Sequence, residues 1–330
     1  MRALLVVVLV ASGLWSGYWV LGSQAMERGV TGWFTAQQGA PLQAEHQGIA
    51  VAGFPNRFDL TVTEPRLADA AAGLSWQAPF AQVFMMTWKP WHIIATLPND
   101  QTLTLPGQEV ALTSASFQAS AVLVPGTDLT LDRSALAVDT LALSSSAGWD
   151  IAAATLRLGL RRAPDRAEAQ ELALELTTLS PPAALAASLA DAADLPEQID
   201  LLRIDSVLGL SAPLDRHVGT TRPALQDITL REGLLRWGDL VLSASGSLTP
   251  AADGTPEGRI DLRVENWRKL VPLLVASGTI SPQQSETVTR ALGLLATQGG
   301  NPDVLPLPLT FAQGWMSLGP LPLGPAPQVF

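Results

Sequence analysis

The chain opens with a continuous apolar segment. Ala3–Leu21 is nineteen residues without a charge, preceded only by Met1 and Arg2. A helix of that length spans about 30 Å of hydrocarbon. The pattern predicts a membrane-spanning helix, and Met26–Gln38 continues a helical period with Val30, Trp33 and Phe34 on one side.

After this helix the hydrophobic period changes from 3.6 to 2. Apolar residues alternate with polar ones at Phe58, Leu60 and Val62, and further runs follow at Leu103/Leu105, Leu136/Val138, Leu141/Leu143, Leu156–Leu160, Leu172–Leu176, Ile228/Leu230, Leu240/Leu242 and Ile260–Val264. Strands with one apolar face and one solvent-exposed polar face are typical of antiparallel sheets. We therefore predict a mainly β (α+β) fold, with a long curled antiparallel sheet after the transmembrane helix.

Helices are few beyond the N-terminus. Pro181–Ala193 is rich in Ala and Leu and predicts one short helix. Residues 266–298 predict a helical hairpin packed against the sheet, whose second helix has a capping box at Ser281 and Gln284. The Pro-rich tail, Pro302–Phe330, still alternates and predicts an edge strand or an extended strap.

These patterns divide the chain into three parts. Residues 1–25 are the membrane anchor, or else a signal peptide cleaved after Ser23-Gln24-Ala25; residues 26–180 form a first β-rich half and residues 181–330 a second. Trp15, Tyr18 and Trp19 near the end of the apolar run favour the anchor, because amphipathic rings prefer the headgroup layer. Arg2 precedes the span, which favours a cytoplasmic N-terminus and export of the rest.

The composition argues against nucleic acid as a partner and excludes sites that depend on cysteine. The 330 residues carry a net charge of −10, which disfavours nucleic acid as a partner. There is no Cys, so disulfides, thiolate metal sites and thiol nucleophiles are excluded.

No motif for catalysis is present. The three histidines His46, His92 and His217 have no metal-ligand spacing, and the sequence has no nucleophile elbow, Walker loop or dinucleotide fingerprint. We predict no catalytic residues, no metal site and no cofactor. A hydrolase with carboxylates assembled across strands is the enzyme alternative, and it requires two carboxyl groups about 5–9.5 Å apart in a cleft.

Large apolar side chains concentrate in Trp76–Trp91. This segment admits three interpretations: sheet core, the lining of an apolar groove, or contact with the bilayer beside the anchor. The candidate residues for a hydrophobic ligand or a membrane-proximal surface are Phe54, Trp76, Phe80, Phe84, Met85, Trp88 and Trp91.

Three further segments carry a resemblance to a known family. They are Ala52–Leu60 (AGFPNRFDL), Gly254–Ile260 leading into Val264–Trp267, and Gly314–Gly324 (GWMSLGPLPLG). With the apolar helix, they resemble the DUF2125 family of alphaproteobacterial envelope proteins, and the last segment is loosely similar to AsmA-like proteins. The resemblance implies an inner-membrane anchor, a periplasmic β domain and no assigned catalytic residues.

We predict from these observations an inner-membrane, single-pass protein whose periplasmic domain handles lipid or another hydrophobic envelope component, or scaffolds envelope assembly. The expected partners are the inner membrane and lipid or envelope proteins. A purely structural or interaction module without a ligand is the alternative.

Overall fold

The fold follows from a computed structural model that describes residues 1–166, 168–218, 222–278, 280–319 and 321–328. It is mostly β, with 51% of the chain in strands, one long N-terminal helix and a C-terminal helical part, as the alternation predicts. The chain divides into two units. The first contains Met1–Pro125 and Leu136–Trp149, and the second contains Gly126–Ala135 and the rest from Asp150.

The first unit begins with helix α1, Arg2–Ala36, which joins the predicted span and the predicted second helix into one element. Its strands are β1 (Leu42–Glu45), β2 (Gly48–Ala52), β3 (Arg57–Thr63), β4 (Arg66–Asp69), β5 (Leu74–Gln77), β6 (Phe80–Met86), β7 (Lys89–Thr96), β8 (Asp100–Leu105), β9 (Gln108–Thr113), β10 (Ser116–Leu123) and most of β11 (Leu131–Ser145).

These strands form two antiparallel ladders. One runs β2–β3–β6–β7–β10 and the other β1–β4–β5–β8–β9–β11. Breaks of two or three residues carry the chain from one ladder to the other, and Pro65, Pro79 and Pro98 lie in them. Proline suits these breaks because it has no backbone N–H to donate to a ladder.

Helix α1 covers the apolar face of the first ladder. Phe34 is buried with Leu60 and Val62, and Met26 and Val30 pack against the same cluster. The alternation Phe58, Leu60, Val62 is confirmed, since all three side chains are buried while their neighbours in β3 are not. The C-terminal part of α1 is therefore core of the first unit.

The second unit is a meander in chain order. Its strands are β12 (Asp150–Arg162), β13 (Ala169–Ser180), β14 (Ile199–Leu210), β15 (Leu225–Trp237), β16 (Leu240–Pro250), β17 (Pro256–Glu265), β18 (Val304–Ala312), β19 (Trp315–Leu318) and β20 (Leu321–Pro325). Each pairs antiparallel with the next, and the sheet is not closed.

Three helices of the second unit lie where the sequence predicts them. They are α2 (Ala183–Ala193), α3 (Leu270–Ala276) and α4 (Ser285–Gln298), the last preceded by a 3₁₀ turn with the predicted capping box between Ser281 and Gln284. Together with Trp237, Val264 and Leu305, they enclose the largest buried cluster, in which Trp267 is 1% exposed. The indole Nε1 of Trp267 donates to the carbonyl oxygen of Pro302 at 3.0 Å.

The Pro-rich tail forms strand β18 inside the meander. Pro306 and Pro308 pair with β17, whereas β19 pairs only with Leu309–Ala312. Pro306 and Pro308 thus lie in the stretch of β18 that, among the described residues, pairs with β17 alone, which agrees with their lack of a backbone donor. Gly53 and Gly258 have φ of 96° and 138°, a backbone conformation that favours glycine at both positions.

Candidate functional site

Three aromatic side chains of α1 hold two hairpin turns of the first unit. The indole Nε1 of Trp15 donates to the Pro55 carbonyl oxygen at 3.0 Å, and that of Trp19 donates to the Arg57 carbonyl oxygen at 2.7 Å. The Tyr18 hydroxyl donates to the Thr87 carbonyl oxygen at 2.7 Å. We call residues 53–57 and 86–88, with these three helical side chains, the aromatic tip.

The two turns of the aromatic tip are also bonded to each other. Thr87 is 1% exposed, and both its backbone nitrogen and its Oγ1 donate to the Asn56 carbonyl oxygen at 3.1 Å. Ring contacts add to these bonds, because Trp19 lies 5.4 Å from Phe54 and 6.2 Å from Phe58 between centroids. The tip is therefore a joined structure of helix and turns.

The aromatic tip nevertheless presents large apolar side chains to its surroundings. Phe54 is 56% exposed, Trp88 55% and Met86 43%. Single exposed apolar residues need no explanation, but three of them on two joined turns make the aromatic tip a candidate interaction surface.

The other predicted candidates lie along strands β5 to β7 and are half-buried: Trp76, Phe80, Phe84, Met85 and Trp91. Met85 lies opposite Phe58 and shares its face, whereas the adjacent Phe84 lies on the other face, with the Arg57 guanidinium 6.0 Å from its ring. The Trp76 indole donates to Oε1 of Gln101 at 2.9 Å. The structure therefore places Phe54 and Trp88 on the two joined turns of the aromatic tip, and Met85 and Phe84 on opposite faces of β6.

A cavity of about 730 Å³ lies along the breaks between the two ladders of the first unit, and ten of its fifteen lining residues are polar or charged. None of the seven candidate residues lines it. Its carboxylates include Glu64, which accepts a hydrogen bond from Nε2 of Gln47 at 2.5 Å. Within the described residues, no set of three His, Asp or Glu side chains is arranged to hold a metal ion.

The second unit has one apolar face, which its strand register makes continuous. One row of directly opposed residues crosses seven strands: Leu156, Leu176, Leu202, Leu235, Leu242, Val264 and Leu305. The last two are buried beneath the helices, and the first five are half-buried. The next row begins with Leu158, Leu174 and Ile204 and is half-buried there too. We call these half-buried residues of β12–β14 the leucine face.

The opposite face of the same strands is charged. Arg203 donates from Nε and Nη2 to Oε2 of Glu175 at 3.0 and 2.7 Å, and Arg231 bridges Glu171 and Asp205. Hydrogen bonds from Arg161 and then from Arg231 hold the pKa of Glu171 below its usual value. The alternation of Leu174 and Glu175 thus separates an apolar surface from an ion-pair network.

Part of this arrangement was outside the reach of sequence reasoning. Trp15, Tyr18 and Trp19 were expected to meet headgroups, but their bonds to turns about forty to seventy positions away were not predicted. Met86 and Thr87 complete the tip. Met86 belongs to the aromatic segment, whereas no pattern marks a buried Thr in a turn.

The comparisons with known proteins give one family. Residues 19–327 match the family model described as "Uncharacterized protein conserved in bacteria (DUF2125)". Curated proteins and solved structures yield no match. Because the family model covers nearly the whole chain, including the three segments that suggested it, the protein belongs to the DUF2125 family.

Proposed function

We propose that this protein is anchored in the inner membrane by α1, lies otherwise in the periplasm, and handles lipid by shielding acyl chains on the leucine face. The anchor is supported by α1, which among the described residues is the one helix long and apolar enough to cross a membrane. Arg2 before the apolar segment supports an orientation with the N-terminus in the cytoplasm.

The observation that carries the proposal is the leucine face itself. Its half-buried side chains form rows across three adjacent strands, while the reverse side of those strands carries ion pairs. Apolar surface left partly in water is unfavourable, at roughly 25 cal/mol for each Å². An occupant that covers the rows must be apolar along its length, because Leu174 and its neighbours offer no polar partner.

Acyl chains are the occupant that fits a tethered protein. The apolar helix keeps the chain at a bilayer, where acyl chains are the most abundant apolar groups. The absence of Cys and the acidic charge also suit an exported domain that does not bind nucleic acid.

The proposal is tested by photo-crosslinking at two adjacent positions of β13. Leu174→Cys lies on the leucine face, and Ala173→Cys is its matched control because Ala173 is exposed on the opposite face and its side chain makes no ion pair. Since the chain has no other Cys, each variant takes one benzophenone maleimide label. In native membranes, we expect lipid adducts by mass spectrometry at position 174 and several-fold fewer at 173.

Equal lipid labelling at the two positions would count against the proposal. If position 174 instead crosslinks only within the chain, the leucine face is closed by internal packing, and the alternative of a structural or scaffolding module takes the place of lipid handling. Lipid analysis of the protein purified in mild detergent is the companion measurement, with enrichment of one lipid class expected.

A further inference from the structure

We propose that the aromatic tip is a membrane-docking surface, with Phe54, Met86 and Trp88 in the interfacial layer of the bilayer that α1 crosses. This inference rests on the proposed single-pass anchor and adds to it a second attachment, made by the β-rich unit itself. The occupant is the lipid bilayer, because the candidate span passes within hydrogen-bond distance of both turns.

Helix length is the first argument. Arg2 lies about 20 Å from Trp15 and about 26 Å from Trp19 along the axis, at 1.5 Å for each residue. The hydrocarbon layer is about 30 Å thick, so a helix that starts at Arg2 leaves it near Gly22. The bonds from Trp15, Tyr18 and Trp19 therefore hold the turns within about 4–10 Å of that boundary, on its hydrocarbon side, so that their exposed side chains meet the interfacial layer. A tilted helix covers a shorter distance along the bilayer normal, so tilting places the turns deeper in the bilayer.

The hydrogen bonding of the turns is the second argument. Exposed turns in water normally leave carbonyl groups to the solvent, whereas groups near hydrocarbon need internal partners. Here the carbonyl oxygens of Pro55, Arg57 and Thr87 accept from the helix, and that of Asn56 accepts from Thr87. The carbonyl oxygen of Gly53 accepts from the backbone nitrogens of Asn56 and Arg57. Five successive or neighbouring carbonyls are thus satisfied without water.

The composition of the surface is the third argument. Phe54 and Trp88, each more than half exposed, lie on turns bonded to a helix that itself shows Trp15 and Tyr18 at 38% and 45% exposure. Trp and Tyr are the residues enriched where a membrane protein meets the headgroup layer. Arg57 is the last residue of the first turn and Lys89 follows the second, where cationic side chains can reach lipid phosphates.

The experiment places one fluorophore at a time on the full-length chain, which has no natural Cys. Phe54→Cys and Trp88→Cys test the tip, and both keep the three helix bonds, because those end on backbone carbonyls. Leu74→Cys is the control, since Leu74 is 43% exposed and begins β5 at the opposite end of the hairpins. Each labelled protein is reconstituted in phosphatidylethanolamine and phosphatidylglycerol vesicles.

Quenching then reports depth. A spin label near the glycerol level of the lipid is expected to quench the fluorophore at 54 and 88 several-fold more than at 74, while aqueous iodide gives the reverse order. Iodide quenching equal at all three positions, in protein that resists alkaline extraction, would overturn the inference and leave the anchor intact. Protection at 54 and 88 from both quenchers would also overturn it, because a protein surface would then cover the tip. Extraction of the protein by alkali would refute the anchor instead.

Discussion

At the scale of single residues, two buried glutamines differ in whether their side-chain amides are hydrogen-bonded. Gln101 is 5% exposed; its Oε1 accepts from Trp76, and its Nε2 donates to the Pro98 carbonyl oxygen at 3.2 Å. Gln170 is 1% exposed, and neither amide atom has a hydrogen-bond partner within the described residues. An unpaired buried amide costs about 1–3 kcal/mol, whereas a paired one stabilises the fold.

We therefore expect substitution by methionine to have opposite effects at the two positions. Gln170→Met removes an unpaired amide at nearly constant volume, and should raise the free energy of unfolding by about 1 kcal/mol. Gln101→Met leaves the Trp76 indole without its hydrogen-bond acceptor and should lower the free energy of unfolding by about 1–3 kcal/mol. Chemical unfolding of the full-length protein in detergent measures both, and destabilisation by both variants would contradict the expectation.

The pairing of Glu171 makes a prediction for acid stability. Arg161 and Arg231 lower the pKa of Glu171 in the folded protein. The contribution of this carboxylate to folding stability is therefore fully present above the unfolded pKa of about 4.3, and it is lost as the pH falls through the lower folded pKa. Glu171→Gln should be less stable by about 1 kcal/mol at pH 7, and the difference should shrink below about pH 4. Glu197→Gln, at an exposed carboxylate, is the control, and an unchanged difference across this pH range would exclude the mechanism.

At the scale of elements, alternation predicts the strands but not where they change face. Leu136 and Val138 fall on even positions, and Leu141 and Leu143 on odd ones, which suggested separate runs. They form the single strand β11, because Thr140, at φ 53°, adds one residue between them. Such bulges depend on pairing with distant strands, which local sequence does not contain.

Helix α1 was also predictable only in part from its local sequence. Its length and its apolar start were predictable from Ala3–Leu21, since they depend on the helix alone. Its packing was not, because burial of Phe34 against Leu60 depends on residues far apart in sequence. The candidate residues Phe54 and Trp88 were likewise identifiable as large and apolar, while their common position beside the helix required the tertiary structure.

Helix α1 also offers a matched test of its contact with the sheet. A Cβ at Gly22 would lie 2.6 Å from Cζ of Phe58, whereas one at Gly17 would have no neighbour within 4 Å. Gly22→Leu should displace the helix from β3 and cost about 1–3 kcal/mol, while Gly17→Leu should not destabilise the protein. Hydrogen exchange of the β3 amides gives the readout. Equal exchange in the two variants would show that the helix is not packed there.

At the scale of the whole molecule, the candidate membrane span continues directly into the part of α1 that packs against the β-rich first unit. Trp19 and Gly22 contact Phe58 before Ala25, and Met26 and Val30 contact the Leu60 cluster after it. Helix α1 runs unbroken through this position, where Ser23 is 8% exposed. The same helix thus carries the candidate membrane span at one end and packs into the core of the first unit at the other.

Retention of residues 1–25 in the mature protein is the consequence we expect. Cleavage between Ala25 and Met26 would remove the three donors of Trp15, Tyr18 and Trp19, at about 0.5–1.5 kcal/mol for each bond, and would uncover Phe58. The intact mass of the membrane-extracted protein should include these residues. Ala25→Leu, which blocks a small-residue cleavage site, should leave that mass changed only by the substitution. A product beginning at Met26, abolished by Ala25→Leu, would show instead that the segment is a signal peptide and that the β-rich part is released.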